Sequence, residues 1–177
     1  MVIREMSSFG KMRLFSPFQH PFSVMANLKP GDPAPEIALQ TDSGDHFQLS
    51  SLRGKNVVLY FYPKADTPGC TKEACAFRDQ SPGFVKANTV ILGVSPDPTT
   101  AQAKFKGKFG LPFTLLADID HKAAESYGVW TEKNMYGRKY MGVERTTFII
   151  DTEGRIKKIL PKVKVEGHAE EVLAAVS

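Results

Sequence analysis

Val57-Val58-Leu59-Tyr60-Phe61-Tyr62 is the longest uninterrupted apolar run in the chain, six residues without polar alternation. A strand with one wet face alternates, so a run that is apolar on both faces must be covered on both sides. It is far shorter than the ~20 residues of a membrane-spanning helix. Thr89 to Val94 is a second run of this kind, and helix-like segments lie between and after the two. Layers on both faces of a largely buried sheet define an α/β domain. A length of 177 residues suits one such domain.

The remaining elements follow from turn and cap signals. Asp42-Ser43-Gly44-Asp45 between Glu36–Gln40 and His46–Leu49 reads as an N-terminal β-hairpin. Pro68 to Asp79 reads as a helix ended by Ser81-Pro82-Gly83. Thr99 to Phe109 reads as a helix stopped at Gly110, and Phe113 to Ala117 as a short strand. His121 to Tyr127 is a short helix, Thr146–Ile150 and Arg155–Leu160 form a second hairpin, and Gly167 to Val176 is a closing helix. The order gives a central mixed β-sheet flanked by helices on both faces.

Residues 1–27 read differently and are assigned to an N-terminal extension, with the folded domain at 28–177. Arg4, Lys11 and Arg13 stand against one acid, Glu5, with no helical or alternating pattern. The expectation is a disordered tail or a start placed too early, with an organelle-targeting presequence as the second reading. A cytoplasmic protein is therefore expected. The net charge of +4 is too mild to demand a nucleic-acid partner, and no membrane association is expected.

The chemistry-bearing residues are concentrated in Pro63-Lys64-Ala65-Asp66-Thr67-Pro68-Gly69-Cys70-Thr71-Lys72-Glu73-Ala74-Cys75-Ala76-Phe77-Arg78-Asp79. Thr67 followed by Pro68 is a helix-start signal, which puts Cys70 in the first turn. Unpaired amides and the positive end of the helix dipole there favour a thiolate over a thiol. Cys75 lies five residues on, a rise of ~7.5 Å and a rotation of ~500° along a helix. The Cα atoms then stand roughly 8–9 Å apart, beyond the ~6.8 Å reach of a disulfide. The two sulfurs can pair only if the first turns unwind, an opening that helix ends permit at low cost.

These residues resemble the peroxiredoxins. Pro63-x-x-x-Thr67-x-x-Cys70 is similar to their active-site pattern, and the run through Cys75 and Phe77-Arg78-Asp79 is similar to the peroxiredoxin Q branch, the bacterioferritin comigratory proteins. Gly110-Leu111-Pro112-Phe113, Tyr127-Gly128-Val129, Arg145-Thr146-Thr147-Phe148 and Lys162 to Glu171 extend the likeness over the folded part. The resemblance implies a thioredoxin-like fold and reduction of hydrogen peroxide and organic hydroperoxides. It implies that Cys70 attacks the peroxide and becomes a sulfenic acid, and that Cys75 resolves it as an intramolecular disulfide. Thioredoxin or a glutaredoxin-type dithiol would restore both thiols. Thr67 would hydrogen-bond the sulfur and the peroxide oxygen, Pro63 would shield the sulfur, and Arg145 would bring positive charge beside it. Glu73 would orient that arginine. The branch implies a monomer that works without a metal or organic cofactor.

Two other classes use similar parts. A thioredoxin-like copper chaperone would hold Cu(I) on soft thiolates, but a helix keeps Cys70 and Cys75 on different faces. A redox-dependent holdase would need an extended apolar surface, and no segment advertises one. Trp130 is expected to pack, and Lys104 to Phe109 is expected to be a lysine-covered helix face rather than a nucleic-acid surface.

Overall fold

A computed structural model describes residues 27–177, so the expectations for the N-terminal extension lie outside the described residues. Strands β1 (Ala38–Thr41) and β2 (His46–Gln48) form the N-terminal hairpin, followed by a 3-10 turn at Leu49–Leu52. Then come β3 (Asn56–Phe61), α1 (Pro68–Lys86), β4 (Thr89–Ser95), α2 (Thr99–Phe109) and β5 (Thr114–Ala117). The chain continues through α3 (Lys122–Ser126), β6 (Trp130–Met135), β7 (Arg138–Val143), β8 (Thr146–Ile150), β9 (Ile156–Leu160) and α4 (His168–Val176).

Seven strands form one sheet in the order β2-β1-β5-β4-β3-β8-β9. β3, β4 and β5 run parallel, whereas β1 on β5, β8 on β3 and β9 on β8 are antiparallel. The sheet is therefore mixed, as expected. Strand β3 lies inside it, between β4 and β8, with Val57, Leu59 and Phe61 packed on one face beside Val94, Phe148 and the α3 residues Ala123 and Ala124. Val58, Tyr60 and Tyr62 pack on the other, against residues of α1, α2 and α4 such as Phe77, Phe105 and Val172. Burying each large apolar side chain contributes about 1.5–3 kcal/mol. That gain accounts for an apolar run with no alternation.

Two features depart from the sequence reading. Helix α1 does not end at Ser81-Pro82-Gly83 but runs through Pro82 to Lys86. Proline inside a helix forfeits one backbone bond and crowds the preceding turn. Here tertiary packing outweighs that cost, because Phe84 is buried beyond the proline, with its ring centroid 5.9 Å from that of Phe77. Gly83 also lets α4 approach closely: a Cβ there would lie 2.8 Å from Leu173 Cδ2.

The second departure is the separate β6–β7 hairpin, which the sequence reading did not contain. Its turn is Tyr136-Gly137, with φ of +52° and +78°, the positive-φ pair that closes two-residue hairpins. Beyond its base at Trp130 and Val143 the hairpin contributes little to a core, so no buried face marked it in the sequence. Trp130 does pack, its ring stacked on His121 at 3.8 Å.

Candidate active site

The loop from Tyr62 to Thr67 leaves the carboxyl end of β3 and delivers the chain into α1. Carboxyl ends of parallel strands are where open α/β sheets keep their ligand sites. Thr67 occupies the N-cap position with extended backbone and Pro68 opens the helix, as expected. The threonine hydroxyl does not cap the helix; it donates to the Lys64 carbonyl at 2.8 Å. Thr71 N–H closes the first turn onto the Thr67 carbonyl at 2.8 Å. The amides of Gly69 and Cys70 therefore lie ahead of the first helical bond, at the positive end of the dipole.

Cys70 is the third residue of α1 and is 1% exposed. Its Sγ accepts a hydrogen bond from Arg145 Nη2 at 3.2 Å. Arg145 immediately precedes β8, the strand that flanks β3 on the side away from β4. Its other terminal nitrogen, Nη1, donates to Glu73 Oε2. Glu73 lies three residues after Cys70, on the same helix face, so one guanidinium bridges the sulfur and the carboxylate. Arg145 therefore pairs with buried Glu73, not with its neighbour Glu144. Gly69 makes room for the bridge, since a Cβ there would sit 3.3 Å from Arg145 Nη2.

The electrostatics follow from burial. Glu73 is 1% exposed, and burial pushes its carboxyl up to about 7 against the lowering by Arg145. Burial pulls Arg145 down, but the charges of Glu73 and Cys70 and their hydrogen bonds outweigh it and hold the guanidinium above its ordinary value. Glu73 Oε1 is buried without a partner. The site therefore sets one fixed cation between a sulfur and a carboxylate raised by burial. An anionic sulfur is stabilised there by a charge-assisted hydrogen bond.

Cys75, on the same helix, is half-buried, and both cysteines are free thiols. Pro63 is exposed in the loop before α1. Among the described residues, no group of three or more His, Cys, Asp and Glu is placed to hold a metal ion.

Several supports of the site were not anticipated from the sequence. Asp97 Oδ2 accepts from Ala65 N–H at 2.8 Å and from Ser95 Oγ at 2.6 Å, anchoring the loop that carries Thr67. Tyr62 donates its hydroxyl to Gln102 Oε1, while Gln102 Nε2 donates to Ser95 Oγ and the Leu116 carbonyl. Their one local signal is Ser95-Pro96-Asp97 between a buried strand and a helix start, a turn-forming combination.

Comparison with known proteins places the chain in a family. Residues 30–159 match the model of the AhpC/TSA family. A putative peroxiredoxin bcp of Coxiella burnetii is 54% identical over 147 residues, which cover 83% of this chain and 97% of that protein. Peroxiredoxin Bcp of Bacillus subtilis is 52% identical over 143 residues, 81% of this chain and 91% of the relative. Among solved structures, one of the Xanthomonas campestris bacterioferritin comigratory protein, from work on its alkyl peroxide reduction activity, is 41% identical. It superposes with a TM-score of 0.76, covering 79% of this chain and 89% of that one. With a buried cysteine at a helix start, an arginine upon it and relatives matched over nearly their full length, the chain belongs to the AhpC/TSA family, on its peroxiredoxin Q/Bcp branch.

Proposed function

We propose that Cys70 is the peroxidatic cysteine of a thiol-dependent peroxidase and that Cys75 is its resolving partner. The observation that carries this reading is the single guanidinium of Arg145 bonded to both Cys70 Sγ and Glu73. As the O–O bond breaks, negative charge grows on the departing oxygen. A donor already in place stabilises that charge without reorganising.

In the first step the Cys70 sulfur attacks one peroxide oxygen with its electron pair. The O–O bond breaks, the sulfur becomes a sulfenic acid, and the other oxygen leaves as water or an alcohol once protonated. Arg145 faces the reacting sulfur, and Glu73 holds Arg145 from behind. Thr67 has its hydroxyl hydrogen committed to Lys64, which leaves the oxygen's lone pairs to accept from the proton-bearing peroxide. In this reading Pro63, exposed in the loop that leads into α1, shields the sulfur from water.

In the second step the Cys75 sulfur displaces the sulfenic oxygen. A disulfide forms, water leaves, and no further oxidant is consumed. The two cysteines share one helix, so resolution begins with unwinding of its first turns. A thioredoxin-type dithiol then reduces the disulfide by exchange and is itself oxidised. Among the described residues, no helix is long and apolar enough to cross a membrane.

Rapid mixing of reduced protein with hydrogen peroxide, followed through Trp130 fluorescence, tests the assignment. Cys70→Ser is expected to lose the oxidation phase altogether. Cys75→Ser is expected to keep one oxidation per chain and to lose steady turnover with thioredoxin. A Cys70→Ser variant that reacts at the wild-type rate would refute the reading.

A further inference from the structure

Helix α1 is held unevenly along its length. Its first turns rest on Cys70, Glu73 and Ala74, and on an exposed pair between Lys72 and Glu166 that contributes little. The Cys70 sulfur, whose bond to Arg145 Nη2 helps hold this part, is the atom that oxidation would change. From Phe77 onward the hold is different. The Phe77 ring is fully buried, 4.9 Å from Tyr60 and edge-on to His168 at 5.7 Å. Gly83 and Phe84 then lock the last turns beneath α4 and β4.

At the start of the firmly held part, next to Phe77, stands Arg78. Its Nη1 donates at 2.8 Å to the carbonyl of Phe109, the last residue of α2. Terminal carbonyls of a helix lack partners within it and carry its negative dipole end, so a guanidinium is well placed there. On the other side of the reactive segment, Ala65 N–H is bound to Asp97, and exposed Asp66 is paired with Lys108 of the same α2 turn. Residues 67–77 thus run between two fixed points, both secured to the α2 side of the fold.

We propose that Arg78 is a positioning residue for the resolution step: its bond to the Phe109 carbonyl halts the unwinding of α1 just beyond Cys75. The inference rests on the reading of Cys75 as the resolving cysteine. With both ends of the segment fixed, the unwound chain is a short loop and Cys75 stays at high effective concentration beside the Cys70 sulfenic acid. Without the clamp, unwinding runs further along α1. Cys75 then explores more space for the same covalent connection.

The test uses the full chain, reduced, mixed with one equivalent of hydrogen peroxide. Samples quenched with a thiol-blocking reagent are weighed for sulfenic acid and disulfide. Arg78→Met keeps the packing stem and removes the donor to Phe109, together with the exposed pair of Arg78 Nε with Asp79 Oδ1 at 2.9 Å, which contributes little. The disulfide step is expected to slow about tenfold, the worth of one charge-assisted bond, while Cys70 oxidation keeps its rate. Arg78→Lys, which can still donate to the carbonyl, is expected to fall between wild type and Arg78→Met, and it carries the test if the methionine variant does not fold. Amide exchange on the disulfide form supplies an independent readout. Fast exchange should stop at residue 77 in the wild type and run on toward Lys86 in Arg78→Met. Disulfide formation as fast as or faster than wild type in Arg78→Met, or wild-type exchange already extending to Lys86, would overturn the proposal. Absence of any intramolecular disulfide in the wild type would overturn the role of Cys75 itself, and the clamp with it.

Discussion

A carboxylate sealed beneath a guanidinium, as Glu73 is beneath Arg145, makes the charge of the site depend on pH. Burial raises Glu73 from 4.5 to about 7, so the folded protein holds this proton more tightly than the unfolded chain does. The resulting stabilisation is complete below pH 4.5 and is lost as pH rises to about 7. His168 acts in the opposite sense. Burial lowers it from 6.5, so the stability linked to its neutral form is present above that pH and lost as pH falls. Comparing wild type with Glu73→Gln cancels the histidine. The unfolding free energy of wild type minus that of Glu73→Gln is expected to decline between pH 4.5 and about 7 in denaturant titrations. A flat difference would mean that Glu73 stays ionised across this range.

At the scale of elements, Gly93 on β4 shows how tightly side chains from the neighbouring strands fill the sheet face that α1 covers. A Cβ there would lie 2.8 Å from the Tyr60 ring and 2.8 Å from Leu115 Cδ2. Gly93→Ala is therefore expected to cost about 1–3 kcal/mol by overpacking, read from denaturant unfolding. The displaced Tyr60 ring would also loosen Phe77, so α1 should lose amide protection with it. Elements with local punctuation were legible in the sequence. Helix α2 matches its expected span because Gly110 takes a left-handed φ of +60° and ends it. The end of α1 was not legible, because Pro82 is a true stop signal locally and only α4 and Phe84 override it. The β6–β7 hairpin escaped for a different reason: Met135, Tyr136, Tyr140 and Met141 are exposed, so its apolar residues mark no buried face.

At the scale of the whole molecule, β3 carries the organisation. It lies between parallel β4 and antiparallel β8, so its carboxyl end brings the start of α1 next to the residue that precedes β8. Arg145 thereby reaches a cysteine 75 positions earlier in the chain. The proposed site residues stood out in the sequence because Thr67, Cys70 and Glu73 are held at fixed spacing by one helix start, and Arg145 lies in a segment resembling the family. Their supports could not, because Ala65–Asp97, Arg78–Phe109 and Tyr62–Gln102 join positions 31 to 40 residues apart with no common motif. The central claim is that a sulfur activated by Arg145 takes oxygen from a hydroperoxide. Its most direct test is the rate at which hydrogen peroxide oxidises Cys70 in the Cys75→Ser background, with and without Arg145→Ala. Loss of a donor aimed at developing charge should slow that step by about 100-fold or more, with the single added oxygen located on Cys70 by mass. An unchanged rate, or oxygen found elsewhere in the chain, would contradict it.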